Sequence, residues 1–582
     1  MPLSRTAASV ALGVLLAAPV LIHAQATATT DRARAAAPKT MLGLPLKFPG
    51  KPTTAAITPA DLMTRLYIYA DDSLMGRQVG TEYNLRATAY IEREVRRLGL
   101  VPAGEAGGYF QNIPLYLNYN DSAASALKVG GEALTYGKDF FAIPRAGRTL
   151  AFDGVPVIYA GTTSDSTSWP APDAVAGKAV VLTVPATGGS LRSLMSSASH
   201  FGKASAILVA VLERFPAALL PRIGRSTALR PDTLPDTAPT SILISSRAAT
   251  LLFGSLDNLK VGAAGKPITG TITMREERAP GRNVVAILPG SDPALKGQYV
   301  AIGAHNDHIG FNHAPVDHDS VKAYMMVARP QGADSPSGVT LTPEQTTRIR
   351  ALIDSLHREH GVRLDSIYNG ADDDGSGTVS VLEIAEAFAK SPARPKRSIL
   401  FVWHTGEEAG LYGSEYFTDH PTVPRDSIVA QLNMDMVGRG AATDVTGSAK
   451  DGGDLHGGPG YVQLVGSRRL STELGNLIED VNKTGNLGLA FDYAIDANGH
   501  PQRIYCRSDH YEYARYGIPV VFFTTGGHSD YHQVTDEPQY IDYARMAQVA
   551  TLVHDSALRV ANLDHRIVVD KPKPDPRGRC VQ

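Results

Sequence analysis

Five short clusters of histidine and carboxylate residues punctuate the second half of this 582-residue chain. They are His305-Asn306-Asp307-His308, Asp372-Asp373-Asp374-Gly375-Ser376-Gly377, His404-Thr405-Gly406-Glu407-Glu408, Asn433-Met434-Asp435 and His528-Ser529-Asp530-Tyr531-His532. Imidazole nitrogen and carboxylate oxygen are zinc donors where thiolates are lacking. The chain has two cysteines, Cys506 and Cys580, which excludes zinc sites built on cysteine pairs. Any metal must be held by His, Asp and Glu. Singly, a His-x-Asp reads as a hydrogen-bonded loop and a Glu-Glu pair as solvated surface. Together the clusters read as metal chemistry.

Positioning them is the task of regular elements. Apolar runs at Tyr299–Gly303, Ser398–Trp403, Ile428–Leu432 and Ile518–Phe523 lead into four clusters, and helical patterns such as Val379–Ala389 lie between. Strands alternating with helices predict an α/β fold with a mainly parallel central sheet flanked by helices. Chemistry in such sheets sits beyond the carboxyl ends of the strands, where these clusters fall. Upstream, Thr58-Pro59 opens a helix with Asp61 in its first turn. Thr81–Leu98 reads as a second helix, with Ile91, Val95 and Leu98 on one face and Gly99 as its stop.

The wording of the motifs resembles one family, the co-catalytic di-zinc exopeptidases, which includes secreted bacterial aminopeptidases and glutamate carboxypeptidases. The resemblance lies in His305-x-Asp307, Gly370-Ala371-Asp372-Asp373-Asp374-Gly375-Ser376-Gly377, Thr405-Gly406-Glu407-Glu408-x-Gly410, Asn433-Met434-Asp435-Met436-Val437-Gly438 and Asp530-Tyr531-His532. Arg507-Ser508-Asp509-His510 ahead of Gly517-Ile518-Pro519 is also similar. It covers about Thr58–Leu100 and Gly281–Leu558. It implies two Zn2+ per chain: His305, Asp373 and Asp435 on one, and Asp373, Glu408 and His532 on the other, with Asp373 as the bridge. A water shared by the ions would be the nucleophile. Glu407 would be the general base that hands its proton to the leaving amine. Tyr531 would hydrogen-bond the oxyanion or simply pack at the site mouth. Asp307 would orient the His305 imidazole, and Asp374, His528, Asp530, Asp536, Ser508, Asp509 and His510 are expected around the ligands. The resemblance also implies a cis peptide between Asp373 and Asp374.

Other readings compete. Asp372-x-Asp374-x-Ser376-Gly377-x-Val379-x-x-x-Glu383 fits a twelve-residue EF-hand calcium loop. Against it, Arg363–Gly370 makes a poor entering helix, and the other clusters stay unexplained. A carboxypeptidase or dipeptidase on the same scaffold is the nearest enzymatic rival. A glutaminyl cyclase suits a complete two-metal ligand set less well, and a metal-free receptor would not need intact ligands and Glu407. Around the motifs Asp307, Asp374, Glu407, Asp509 and Asp530 outnumber Arg439 and Arg507. That bias favours a substrate with a free α-amine, hence an aminopeptidase.

Composition and organisation fit a secreted or periplasmic enzyme. Apolar residues make up 43% and charged residues 20%, values of a folded chain. A net charge of −2 offers no basic excess for nucleic acid, and the resemblance implies a peptide substrate as the partner. Arg5, the apolar run Ala7–Ile22 and His23-Ala24-Gln25-Ala26 read as a signal peptide over 1–26. The run falls short of the ~20 residues that span a bilayer, so no membrane attachment is expected after cleavage. Residues 27–56 read as a linker, 57–126 and 281–562 as the peptidase domain, and 563–582 as a C-terminal tail. Residues 127–280, with β-rich runs at Val155–Tyr159, Ala179–Val184 and Ala206–Val211, look like a protease-associated domain, a structural or protein-binding module. An insertion over 313–368 carries a helix opened by the capping box Thr342-Pro343-Glu344-Gln345 and ended at Gly361, with Ile349, Leu352, Ile353 and Leu356 as its apolar stripe. It would decorate the surface or cover the substrate pocket. The sequence leaves open whether Cys506 and Cys580 pair, and leaves the oligomeric state unset.

Overall fold

The apolar runs ahead of the motifs form the centre of one sheet. In this computed structural model the described residues are 44–144, 149–185, 200–215, 220–229, 239–329, 332–335, 340–440, 458 and 460–582. The expected signal peptide and the first part of the expected linker, up to residue 43, lie outside them. The described chain divides into two units, Pro114–Ala279 and the remainder on either side of it.

In the unit that carries the motifs, the principal strands are β1 (Arg282–Leu288), β2 (Tyr299–His305), β3 (Ser398–His404), β4 (Ile428–Met434), β5 (Tyr461–Val465) and β6 (Val520–Thr524). Their order is β1-β3-β2-β4-β6-β5, with short edge strands at Val101–Pro102 and Phe110–Asn112 on β1 and Ala490–Asp492 on β5. The ladders β3–β2, β2–β4 and β4–β6 are parallel. β1 joins β3 and β5 joins β6 antiparallel, while the edge strand Ala490–Asp492 runs parallel to β5. Every residue of β3 and β4 is buried, as expected for strands covered on both faces. Alternation along the strands sends Ile302, Phe401 and Leu432 to one layer and Ala301, Leu400 and Val402 to the other. His305 pairs with His404 across the ladder, which brings two motifs to the same sheet edge.

Its longer helices include α1 (Pro59–Tyr69), α2 (Glu82–Arg97), α3 (His318–Ala328), α4 (Pro343–His360), α5 (Gly377–Lys390) and α6 (Tyr543–Asn562). Thr58 Oγ1 accepts the Asp61 N–H at 3.1 Å and caps α1. Leu62 and Leu66 of α1, Ile91 of α2, Leu382 of α5 and Met546 and Val553 of α6 pack in one core with the sheet. Between α1, α2 and α5 the buried Arg65 guanidinium meets Glu383 at 2.7 Å, Glu386 at 2.5 Å and Glu94 at 2.9 Å.

The insertion is a ribbon, Phe311–Asp317 against Leu364–Ile367, enclosing α3 and α4. The Thr342–Gln345 capping box forms in both directions, at 3.2 and 3.0 Å. Ile349, Leu352 and Ile353 of the α4 stripe pack on Ala323 and Val327 of α3. The C-terminal segment is fastened to this unit: Cys506 and Cys580 form a disulfide with Cα atoms 5.9 Å apart, and Gln582 Nε2 donates to the Ile495 carbonyl at 2.7 Å. Among the described residues, no helix is long and apolar enough to cross a membrane.

The other unit combines long antiparallel strands, Leu115–Val129, Thr149–Thr162 and Ala264–Ala279, with parallel strands Ala179–Thr183, Ala206–Ala210 and Thr240–Ile244 and a helix, Ser246–Phe253. Its own core holds Leu127, Phe140, Val181, Leu208, Ile242 and Ile268. The boundary expected at 127 falls inside its first strand. Leu115–Asp121 pairs along Thr273–Ala279 and is carried into that sheet.

Candidate active site

β2 ends at His305, whose main chain is pinned on both sides. Its N–H donates to Asp374 Oδ2 at 3.0 Å, and its carbonyl accepts Thr378 Oγ1 at 2.5 Å. The imidazole then points Nε2 at Asp373 Oδ1, 3.1 Å away, and at Asp435 Oδ1, 3.6 Å away. Nδ1 lies 3.1 Å from the Asp307 carbonyl and 3.7 Å from its carboxylate. The Asp307 main chain is thus the nearer partner, and the Asp307 carboxylate accepts the Glu407 N–H at 3.1 Å.

The three successive aspartates of the second motif diverge. The turn begins at Gly370, at φ +54°, where a Cβ would fall 2.3 Å from the Asp373 carbonyl and 2.5 Å from the His308 ring. The Asp372 and Asp373 N–H groups donate to the Asp536 carboxylate at 3.0 and 3.1 Å. Asp372 Oδ1 accepts the Gly438 N–H at 2.7 Å, and Oδ2 lies 3.2 Å from His528 Nε2. The peptide from Asp373 to Asp374 is cis. Asp374, besides its bond to His305, accepts the Gly377 N–H at 2.8 Å. Asp373 is the one of the three whose carboxylate faces both His305 and His532: Oδ1 meets His305, and Oδ2 lies 3.0 Å from His532 Nε2. A calcium loop does not form, because these carboxylates do not converge and Glu383, its twelfth position, is bound to Arg65.

Gly406, at φ +72°, starts the turn that carries Glu407 and Glu408. Glu408 Oε2 lies 3.0 Å from His532 Nε2, and Oε1 lies 2.7 Å from His308 Nδ1. Glu407 Oε2 reaches to 4.0 Å from His305 Nε2. Asp435 Oδ2 accepts the Ser508 hydroxyl at 2.8 Å. The Tyr531 ring stacks on His532 with centroids 3.9 Å apart. Asp509 stands behind the site, 3.4 Å from His404 Nδ1. His510 does not join: its ring stacks on Phe522 at 4.8 Å, and burial lowers its pKa to about 3.

His308 is the residue that sequence reasoning left unassigned. Its signal is the fourth place in His305-Asn306-Asp307-His308, close behind a strand end. Its partner, Glu408, lies 100 positions away, so local spacing does not reveal the contact.

The site is buried and crowded with charge. Burial pushes the Asp373 carboxyl up, but the His305 and His532 imidazoles outweigh it and hold the group well below the usual carboxylate range. Burial pulls His532 down, yet Glu408 and Asp373 raise it to about 10. Burial holds Glu407 well above its ordinary value, against the pull of His305 and with the repulsion of Asp435 and Glu408.

The donor set fits two zinc ions. His308, Asp373, Glu408 and His532 form one group of converging ligand atoms, and His305, Asp374 and Asp435 another, each within 4.8 Å. Asp374 is committed to main-chain N–H groups, whereas Asp373 Oδ1 points at His305. Tetrahedral zinc at 2.0–2.2 Å from each donor sets donors ~3.4 Å apart. The gaps of 3.0 to 3.6 Å among His305, Asp373, Asp435, Glu408 and His532 match that spacing. Buried carboxylates in such density also require cations.

Residues 283–557 match the model of peptidase family M28. The chain is similar to leucine aminopeptidase 1 of Ajellomyces capsulatus, 31% identical over 192 residues, which is 31% of this chain and 45% of that protein. It is similar to leupeptin-inactivating enzyme 1 of Streptomyces exfoliatus, 30% identical over 182 residues, 31% of this chain and 34% of that protein. The matches thus span less than half the length of these curated relatives. Among solved structures, the aminopeptidase from Aneurinibacillus sp. strain AM-1 aligns with a TM-score of 0.47 at 16% identity, over 89% of this chain and 97% of that chain. Residues 283–557, the stretch similar to peptidase family M28, hold both groups of ligand atoms.

Proposed function

We propose that this chain is an exported, zinc-dependent aminopeptidase. The carrying observation is Asp373, which turns one carboxylate oxygen to His305 and the other to His532. His305, Asp373 and Asp435 would hold one zinc ion, and Asp373, Glu408 and His532 the other, two per chain. Zinc so bound supplies Lewis acidity and lowers the pKa of water.

The remaining work falls to the chain's own residues. Glu407 belongs to neither ligand group, and its carboxylate lies 4.0 Å from His305 Nε2. It takes the proton of the attacking water and returns it to the departing amine. Asp307 holds the main chain of Glu407 for that task. Tyr531, stacked on His532, donates its phenol O–H to the developing oxyanion. Asp374, Asp536 and His528 fix the turn that aims Asp373, with Asp509 behind the site. His308 steadies Glu408.

The substrate is a peptide with a free amino terminus. The acidic surroundings and the name of one relative, leucine aminopeptidase 1, support that end over the carboxyl end. Residues 114–279 serve as a protease-associated module without catalytic groups, and residues 1–26 direct export to the periplasm or the medium. The test is cleavage of an amino-acyl anilide against its N-acetylated twin, with metal analysis of the same preparation. Preference for the free amine and two zincs per chain support the reading. Equal rates, or release of residues from the carboxyl end, would make it a carboxypeptidase or dipeptidase.

A further inference from the structure

We propose that the 313–368 insertion positions His532 through a buried ion pair between Lys322 on α3 and Asp530. The inference rests on the zinc reading given above. Lys322 Nζ lies 2.5 Å from Asp530 Oδ2, with the two side chains 10% and 0% exposed. Asp530 is also held by Arg439 NH2 at 3.1 Å and by Thr535 Oγ1 at 2.7 Å. Its main-chain carbonyl accepts the Gln533 N–H at 2.9 Å, closing a turn around His532. His532 sits in that turn at φ +58°, a left-handed conformation that non-glycine residues adopt only where surroundings enforce it. Displacing Asp530 therefore displaces the imidazole.

The rest of the insertion grips the same loop on both sides of His532. Arg329 NH1 donates to the Ser529 carbonyl at 3.2 Å, and the Ala333 N–H to the Gly527 carbonyl at 3.2 Å. His318 Nε2 lies 3.0 Å from Glu537, and the His318 ring stacks on Tyr540 at 6.2 Å. Lys322 Nζ lies 3.9 Å from the Tyr540 ring centroid. His305 and Asp435 are fixed by other groups, Asp374, Thr378 and Ser508. The insertion thus acts on one zinc site rather than on both.

The experiment is zinc competition against a chelator, with both sites resolved, on the full chain and its Lys322→Met, Lys322→Gln and Lys322→Arg variants. Thermal unfolding of the zinc-free proteins is followed alongside. Loss of a direct outer partner of a ligand typically costs about 10- to 100-fold in metal affinity, and Lys322, one contact further out through Asp530, is expected at the lower end, about 10-fold. Lys322→Met is expected to lose that much at one site while the other site keeps its affinity, even where the zinc-free unfolding temperature falls, and Lys322→Arg to restore it. Arg439 still faces Asp530 in each variant, and Lys322→Gln carries the same expectation if Lys322→Met fails to fold. Unchanged binding at both sites, or parallel loss at both together with a lower unfolding temperature, overturns the inference. A wild-type chain that binds fewer than two zincs overturns the zinc reading itself.

Discussion

The Asp307 carboxylate accepts the backbone N–H of Glu407 at 3.1 Å. The residue two places beyond His305 therefore fixes the start of the Glu407-Glu408 turn. One motif sets the position of another across the sheet edge, and the side chain of Glu407 stays free of the ligand role. Glu407→Gln preserves shape and main-chain contacts. It is expected to keep the fold and two zincs while kcat falls about 10^2- to 10^4-fold, the usual range for a lost general base. Metal analysis with steady-state kinetics checks both halves.

Asp373→Asn removes a charge that faces His305 at 3.1 Å and His532 at 3.0 Å. Zinc affinity should drop at both sites. Equilibrium dialysis should show less zinc per chain than in Glu407→Gln, and two tightly held zincs in this variant would rule out the shared carboxylate.

Arg65 neutralises Glu383 and Glu386 where both are buried. Arg65→Met leaves those carboxylates without their central cation, a change that costs about 3–5 kcal/mol in comparable buried pairs. The urea midpoint of the motif-bearing unit should fall accordingly, with no direct loss of ligand atoms.

The Cys506–Cys580 disulfide closes a sequence separation of 74 residues. Loop-entropy arguments give about 4 kcal/mol for a closure of that length. Replacing both cysteines by serine should lower the unfolding midpoint, and a reductant should lower that of the wild type but not of the double variant.

The sequence by itself determined what is local. An apolar run followed by His, Asp or Glu marks a buried strand and its polar end, and this placed His305, Asp435 and the Glu407-Glu408 pair at one sheet edge. The Thr58 cap, the Thr342–Gln345 capping box and the Gly99 stop are likewise set by neighbours within a turn. Tertiary structure decided what depends on distant partners. Asp372, Asp373 and Asp374 are chemically alike in sequence. They diverge because Asp536, 163 positions from Asp373, captures the turn's N–H groups, and Gly438 and His305 claim the outer two. His308 came to Glu408 and His510 to the apolar side of β6 by the same folding of remote segments. The antiparallel strands flanking the sheet and the start of the second unit at Pro114 arise from pairings that no local pattern encodes. Lys322 lies outside every motif read from the sequence. Only the fold brings it 208 positions along the chain to Asp530, where burial turns a solvated charge into a fixed contact beside His532.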